Sequence, residues 1–334
     1  MRVILDHPHP FLLSHGGFQI QIEQTYSALR EARVDVDYLR WWEDRQTADI
    51  IHYFGRPTGE YVNLAKKKGI RVVMAQLLTG LGSRSPRVLP LQKAAIAVTR
   101  KILPDMISGR FAWEVFEKVD ASIALTAWEA HLMTYVFGAP KDKVHVVPNG
   151  VEEVFLKSAP AARGQWLVCT ATLTERKRVL ELTEAAVAAG TPLWVIGKPY
   201  GDSDPYAQRF LALARQNSRI IRYEGAISGR AELARVYREA RGFVLLSTME
   251  SLSLSALEAA ACECPLLLSD LPWARTTFNE NAQYCPIASA APTAPHLRRF
   301  YDAAPKLPPA PKPPAWIEIA GRLKTLYERV LNRG

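Results

Sequence analysis

The sequence predicts an α/β protein built from two Rossmann-like, doubly wound domains in tandem. Short apolar strands alternate with helical segments along most of the chain, a pattern typical of parallel sheets with right-handed crossovers. The alternation runs from Arg2 to a Pro-Asn-Gly turn at 148–150 and restarts with a new strand at Gln165. The length of 334 residues is enough for two domains of ordinary size.

The first half of the chain contains six strand candidates with helices between them. They span residues 2–6, 34–39, 49–54, 70–75, 121–125 and 144–147. After the first strand, the segment Ser14 to Gly17 opens a helix that is predicted to run to about Arg33. A strand followed by paired glycines and a helix can bind an anion, because unpaired backbone N–H groups point outward at the helix N-terminus. Paired glycines also serve any tight turn, so both interpretations stay open.

The pattern restarts after a linker at 156–164. Five further strand candidates span residues 165–170, 192–196, 220–223, 243–246 and 265–269. The proline-rich stretch 305–314 is incompatible with a helix and is predicted to be an extended connector. A final amphipathic helix is predicted from Trp316 to Leu331, with apolar residues at 316, 319, 320, 323, 326, 327 and 330. We therefore expect domains over 1–155 and 156–304, followed by a connector and terminal helix over 305–334.

Composition and charge narrow the functional classes. No apolar run reaches the roughly 18 residues that span a bilayer, and the first residues lack the apolar region of a signal peptide. The four cysteines fit neither a zinc spacing nor a secreted disulfide framework, so we expect a cytoplasmic protein with reduced thiols. The net charge of +9 favours anionic partners, whether sugar nucleotides, acidic lipids or nucleic acid.

The most informative stretch runs from Glu250 to Glu258. It follows an apolar strand and contains three serines before an alanine-rich helix. The backbone N–H groups at the start of such a helix can bind phosphate oxygens. Glu258, about one turn into the helix, could accept hydrogen bonds from a ribose diol, and Glu250 could meet a sugar hydroxyl. The alternative is a helix whose N-terminal acid is stabilised by the helix dipole.

Several segments in the same order resemble the two-domain GT-B glycosyltransferases, specifically the retaining group called family 4 or glycosyl transferases group 1. Ser14 to Gly17 resembles the donor-loop glycines of that family, and 146–151 resembles its Pro-Asn-Gly-Val signature. Residues 172–179 resemble its phosphate motif, and Glu250 to Glu258 matches its paired glutamates. Residues 270–273 resemble the turn that follows, and 316–320 the helix that returns to the first domain.

The resemblance implies two Rossmann-like domains facing across a cleft, with the C-terminal helix crossing back to the N-terminal domain. It assigns acceptor binding to the first domain and nucleotide-sugar binding to the second. The implied reaction moves a sugar, with retention, from a donor such as a UDP- or GDP-sugar to a hydroxyl of a glycolipid or surface polysaccharide precursor. That scheme requires no cofactor or metal.

The resemblance also implies roles for individual residues. Lys177 and Glu250 carry the catalytic roles: Lys177 stabilises charge on the departing pyrophosphate, and Glu250 orients the donor sugar. Glu258 holds the ribose, and the loop from Tyr223 to Ile227 meets the base. The implied donor contacts are Gly16, Gly17, Lys177, Ile227, Leu252, Ser253, Leu254, Ser255 and Glu258.

Three positions depart from the pattern of the family. Thr172 stands in place of an arginine, so Lys177 is predicted to be the principal side-chain cation, with Arg176 and Arg178 as open alternatives. Leu77, or the adjacent Gln76, stands where many relatives have a histidine that contacts the donor sugar, and His15 or His52 could fill that space. Glu263 replaces a glycine, a change expected at the surface. Thr172 and Leu77 keep open the alternative of a catalytically weak sugar-nucleotide-binding protein, and a sugar-nucleotide epimerase of the same fold is a further alternative.

Other constellations give weaker signals. Asp202 and Asp204 have the spacing of a nucleotide-linked cation site, but they lie in a turn-rich loop, where acidic residues are common. His7 and His9 flank a proline, and no further Cys or His cluster supports a metal site there. We therefore predict no bound metal. The basic, apolar segment from 84 to 110 is either a peripheral surface for anionic membrane lipids at the inner face of the membrane or a solvated basic face. No nucleic-acid recognition motif occurs, so nucleic acid is not an expected partner.

Overall fold

A computed structural model describes residues 1–13, 16–102, 111–157, 161–201 and 203–333 of the chain. It divides into two compact units. The first unit comprises Met1–Gly150 together with Trp316–Gly334, and the second comprises Val151–Ala315. Each unit contains one six-stranded, wholly parallel sheet with helices between the strands, which confirms the predicted α/β fold class.

The sheet of the first unit has the strand order β2-β1-β3-β4-β5-β6. Its strands are β1 (Arg2–Asp6), β2 (Asp35–Tyr38), β3 (Ile50–Phe54), β4 (Arg71–Ala75), β5 (Ala121–Ala124) and β6 (Val144–Val146). The order reverses between β1 and β3. In doubly wound sheets ligands bind beyond the carboxyl ends of the strands at such a switch point.

Seven α-helices of the first unit lie in the described residues. They are α1 (Gly17–Glu31), α2 (Gly59–Lys67), α3 (Thr79–Gly82), α4 (Leu89–Ile102), α5 (Val115–Lys118), α6 (Ala127–Tyr135) and the terminal helix α14 (Trp316–Leu331). Helix α14 packs against α1, so the predicted return of the C-terminal helix to the first domain is confirmed. All seven apolar positions predicted for this helix are buried.

The sheet of the second unit has the strand order β12-β11-β10-β7-β8-β9, which reverses between β7 and β10. Its strands are β7 (Leu167–Thr170), β8 (Leu193–Ile196), β9 (Ile221–Tyr223), β10 (Gly242–Leu245), β11 (Leu266–Ser269) and β12 (Gln283–Cys285). Its helices are α7 (Glu153–Leu156), α8 (Val179–Ala189), α9 (Pro205–Gln216), α10 (Arg230–Glu239), α11 (Leu254–Ala261), α12 (Pro272–Phe278) and α13 (Ala290–Ala303).

Strand β12 and helix α13 of the second unit are absent from the sequence prediction, as are the short helices α7 and α12. Strand β12 has three residues at the sheet edge, of which only Cys285 is buried, so it shows no apolar run. Helix α13 contains Pro292 and Pro295, and such prolines argue against a helix in a sequence reading. The helix forms because its buried residues, including Leu297 and Phe300, pack on α8.

The proline-rich connector differs from the prediction at its start. Ala304–Lys306 forms a short 3₁₀ turn that extends α13, although the whole of 305–314 is predicted to be extended. The remainder contains no helix or strand, and the chain then pairs Ala315 with Val151 in a parallel bridge. No helix in the described part of the chain has the length and apolar character needed to cross a membrane.

Candidate functional site

Two loops meet at the switch point of the second sheet. One follows β7 and ends in a 3₁₀ turn, Glu175–Lys177, and the other follows β10 and leads into α11. The backbone N–H of Thr248 donates to the carbonyl of Arg176 at 2.8 Å, which ties the two loops together. The switch point therefore brings the predicted phosphate motif next to the predicted glutamate pair.

Glu250 is a buried carboxylate held by two cations. The Nζ atom of Lys177 donates to its Oε1, and Nη1 of Arg176 donates to the same oxygen at 3.2 Å. Nη1 of Arg176 also donates to the carbonyl of Met249 at 2.9 Å. The side chain of Lys177 is 13% exposed and that of Arg176 is 40% exposed. Two cations facing one carboxylate leave an excess of positive charge that favours a bound anion.

Glu258 lies on the buried face of α11, and its partners differ from those of Glu250. Nη2 of Arg230 donates to its Oε1, and the hydroxyl of Tyr237 donates to its Oε2 at 3.4 Å. Nε of Arg230 also donates to Oε2 of Glu152 at 2.5 Å, and the guanidinium lies over the ring of Phe155. Burial raises the pKa of the Glu258 carboxyl, and the Arg230 guanidinium opposes that rise. The pair is therefore an anchored carboxylate rather than a free surface acid.

Helix α11 begins with a serine cap. The hydroxyl of Ser253 accepts a hydrogen bond from the N–H of Ala256 at 3.3 Å, and it lies 3.1 Å from the hydroxyl of Ser255. Helix formation leaves the first backbone N–H groups without intrahelical acceptors. Of the predicted phosphate-binding segment, Leu252 and Ser253 thus precede the helix, and Leu254 and Ser255 form its first turn.

The loops after β7, β8 and β9 are packed closely at the same edge of the sheet. Gly197 has a φ of +156°, and a Cβ atom there would lie 1.9 Å from the carbonyl oxygen of Ala171. The N–H of Gly197 donates to the carbonyl of Gly225 at 3.0 Å, and the carbonyl of Gly197 accepts from the Tyr223 hydroxyl at 3.1 Å. The predicted base-contacting residue Ile227 is half-buried in the loop that these contacts hold.

Gly16 and Gly17 belong to the first unit, where Gly17 begins α1 and Gly16 precedes it with a φ of +128°. A positive φ of this size is a conformation that glycine adopts more readily than any other residue. Ser14 and His15 of the same predicted loop lie outside the described residues.

His52 has a structural environment. It is buried between β3 and α14, where its Nδ1 and the Tyr327 hydroxyl are 2.7 Å apart and its ring stacks on Phe54. Burial lowers the pKa of His52 to about 3, so the ring is neutral. The structural interpretation of His52 is therefore favoured over a contact with the donor sugar.

The weaker candidates also have local roles. Asp204 caps α9 by accepting from the N–H of Tyr206 at 2.9 Å, whereas Asp202 lies outside the described residues. Nδ1 of His7 lies 2.6 Å from the carbonyl of His9. Across the described ranges, no three His, Cys, Asp or Glu side chains come together as a metal site.

Two arginines of this site, Arg176 and Arg230, are not assigned by the sequence alone. The sequence offers Arg176 and Arg178 equally as substitutes for the missing arginine. Arg178 is buried with a φ of +53° and donates to the carbonyl of Ala288 instead. Arg230 was not identified, because its contacts with Glu152 and Glu258 join positions 78 and 28 residues away in sequence. No local pattern reports such a contact.

The second unit matches a known family. Residues 164–302 fit the family model described as "Glycosyl transferases group 1". No curated protein is similar enough in sequence to match the chain.

Solved structures match over nearly the whole chain. A sucrose-phosphate synthase from Thermosynechococcus elongatus superposes with a TM-score of 0.69 at 17% identity, covering 100% of each chain. A glycosyltransferase from Rickettsia africae gives 0.66 at 13% identity, covering 100% of this chain and 99% of the other. The Anabaena protein HepE, solved with UDP and glucose, gives 0.63 at 10% identity, covering 97% and 99%. These identities show the shared fold. The match of residues 164–302 to the glycosyl transferases group 1 model agrees with the family that the sequence motifs predict.

Proposed function

We propose that this protein is a retaining glycosyltransferase that moves a sugar from a nucleotide-sugar donor to an acceptor hydroxyl. The observation that carries the proposal is the cluster of Lys177, Arg176 and Glu250 at the switch point of the second unit. The cluster lies within the segment that matches the family and beside the start of α11. Binding of a diphosphate at this place uses both the cations and the backbone N–H groups at the start of α11.

In the proposed reaction, Lys177 and Arg176 stabilise the charge that grows on the departing pyrophosphate. A cation about 4 Å from a phosphate charge contributes roughly 4 kcal/mol at an effective dielectric constant of 20. These groups are held before the reaction by Glu250 and the Met249 carbonyl, so little reorganisation is needed in the transition state. Glu250 then accepts hydrogen bonds from the donor sugar.

Glu258 is the proposed ribose ligand. An ionised carboxylate has about four acceptor positions, and Arg230 and Tyr237 use two of them in this structure. The other positions can accept from the two hydroxyls of a ribose. Burial raises the pKa of the Glu258 carboxyl, and the neighbouring Arg230 guanidinium opposes this rise because a cation favours the ionised form.

We further propose that the second unit binds the donor and the first unit the acceptor, with Gly16 and Gly17 reaching the donor phosphates from the first unit. Ile227 and its loop contact the base. UDP-sugars are the first donors to test, since HepE was solved with UDP-glucose and a pneumococcal O-GlcNAc transferase with UDP and GlcNAc. The proposed acceptor is a saccharide or lipid-linked saccharide, such as a glycolipid or surface polysaccharide precursor.

A panel of UDP-, GDP- and ADP-sugars tests the proposal. The purified protein is incubated with each donor, and released nucleoside diphosphate, free sugar and isomerised donor are measured. Slow hydrolysis or transfer with one donor is the expected result, and it should fall in a Lys177→Ala variant. Tight binding without turnover would leave the sugar-nucleotide-binding alternative, which Thr172 and Leu77 motivate. An isomerised donor would make the protein an epimerase, and absence of both binding and turnover would overturn all three.

A further inference from the structure

A cavity of about 310 Å³ lies in the first unit, at the carboxyl ends of β3 and β4. Pockets for small ligands begin near this volume. Its apolar walls include Leu78, Leu81, Ile96, Trp113 and Phe137. The polar side chains of the lining are those of Arg56, Thr79 and two glutamines, at 76 and 92. The mixture favours a ligand that has an apolar body and a polar group.

Arg56 is the charged residue of this lining. Its guanidinium lies 5.0 Å from the ring centroid of Phe116 and 5.1 Å from that of Phe137, and its Nη1 donates to the Phe111 carbonyl at 2.9 Å. Its Nε is buried and has no hydrogen-bond partner among the described residues. Within the described ranges no carboxylate lies within ion-pair distance of it. Burial lowers the pKa of Arg56, and only the more distant charge of Glu114 opposes the shift.

A cation in this setting is incompletely compensated. Cation–π contacts with two rings orient the guanidinium, but they supply less than a paired anion does. An anionic group entering the cavity would satisfy the unused donor and offset the cost of desolvating the charge. The electrostatics of the cavity therefore select an anion.

The apolar part of the ligand is indicated by α4. Gln92 and Ile96 on this helix line the cavity. The same helix exposes Leu91, Val98 and Ile102 to solvent, with exposed fractions of 75%, 54% and 73%. Apolar surface thus continues beside the cavity, which suits a ligand whose apolar body is longer than the cavity itself.

We infer that this cavity binds an amphiphilic anion, a phosphate or carboxylate group carried on an apolar body. That this ligand is the acceptor of the sugar rests on the proposed function, whereas its binding does not. Arg56 pairs with the anionic group, and the walls formed by α3 and α4 take the apolar body.

Calorimetric titration of the full chain tests the inference with three probes: decyl phosphate below its micelle concentration, inorganic phosphate, and the neutral decyl maltoside. We expect decyl phosphate to bind at least tenfold more tightly than either of the others. Arg56→Gln should remove most of its advantage over decyl maltoside. The control Arg87→Gln, which changes an exposed arginine outside the cavity lining, should leave all three affinities unchanged.

Two outcomes would overturn the inference: equal affinity of the Arg56→Gln variant and the original protein for decyl phosphate, or inorganic phosphate binding as tightly as decyl phosphate. If Arg56→Gln lowers the melting temperature sharply, Leu81→Asn replaces it, and this variant should weaken decyl phosphate alone. Binding of decyl phosphate without any donor turnover would reject the proposed transferase and leave the cavity assignment standing. Donor turnover without binding of decyl phosphate would reject the cavity assignment and leave the proposed transferase standing.

Discussion

At the scale of single residues, Arg176 changes what is expected of Lys177. The sequence predicts Lys177 as the principal cation on the pyrophosphate, because Thr172 replaces the usual arginine. The structure places Arg176 on the same oxygen of Glu250, so a second cation is available at that position. Arg176 is more exposed and has a second bond to the Met249 carbonyl, which makes it the weaker partner.

We therefore predict unequal effects at the two positions. Lys177→Ala should lower kcat/KM by roughly 10²-fold, at the lower end of the range for losing one preorganised donor, and Arg176→Ala by about 10-fold. Thr172→Arg should partly restore the activity of Lys177→Ala. Steady-state kinetics measure this, with the exposed Arg215→Ala as the control. Near-normal turnover of the double variant Arg176→Ala, Lys177→Ala would reject both residues as pyrophosphate contacts.

Glu258 and Arg230 yield a second prediction. Glu258→Ala should weaken nucleoside diphosphate binding by about 1.5–3 kcal/mol, the scale of a charged hydrogen bond. Arg230→Gln acts through the pKa: without the cation, the pKa of the buried Glu258 carboxyl rises further, so protonation begins at a higher pH. As the pH is lowered, the Arg230→Gln variant should therefore lose nucleotide affinity at a higher pH than the original protein does. Identical pH profiles would show that Arg230 does not act through Glu258.

At the scale of elements, α4 combines basic residues with an exposed apolar stripe. The sequence left the basic segment 84–110 either as a lipid surface or as a solvated face, and its part at 103–110 lies outside the described residues. Residues 84–102 contain five basic side chains and no acidic one. The exposed Leu91, Val98 and Ile102 recur at helical spacing. Two copies of so basic a face would repel each other, which favours an anionic bilayer as the partner we propose.

Vesicle flotation tests this proposal. Binding to anionic vesicles should be strong at low salt, weaken at high salt, and be lost with neutral vesicles, because each basic residue contributes about 1 kcal/mol that salt screens. Val98→Glu should reduce binding by at least tenfold. Leu64→Glu, which changes an exposed leucine on α2, is the matched control. Equal binding of all three proteins, or indifference to lipid charge, would favour the solvated face.

At the scale of the whole molecule, the C-terminal residues of the chain form part of its first unit. Helix α14 packs on α1, and Tyr327 reaches His52 on β3. The first unit therefore depends on residues that are 275 positions apart in sequence. This closure makes the stability of the first unit sensitive to acid.

Protonation of His52 is the expected cause of that sensitivity. Its pKa is about 3 in the fold and 6.5 in the unfolded chain, so the unfolded state binds the proton first as the pH falls. The contribution of the neutral ring to the free energy of unfolding is fully present above pH 6.5 and is lost as the pH falls from 6.5 to 3. The loss is about 1.4 kcal/mol per pH unit in that window.

Denaturant unfolding of the original protein and of His52→Gln at several pH values measures this effect. The stability of the original protein relative to the variant should decline with the expected slope below pH 6.5, since glutamine does not titrate. A constant difference across the window would show that His52 is not the acid-sensitive group.

Most of the fold follows from local patterns in the sequence. Eleven of the strands have bounds within two residues of the predicted segments, and α14 has its predicted bounds, because apolar periodicity and turn residues act locally. The short edge strand β12 and the proline-containing α13 were not predicted, because packing on neighbouring elements, which a local pattern does not show, stabilises them. The order of motifs also identified the family, because each motif combines residues that are near in sequence.

Which side chains meet is apparent only from the tertiary structure. It brought Arg176 to Glu250 and directed Arg178 away, although these arginines are two residues apart. It joined Arg230 to Glu258 and assembled the cavity at Arg56 from five separate segments of the chain. The physical reason is that a residue's local sequence sets its backbone conformation. The partner of its side chain depends on which distant segments the parallel crossovers bring to the same sheet edge.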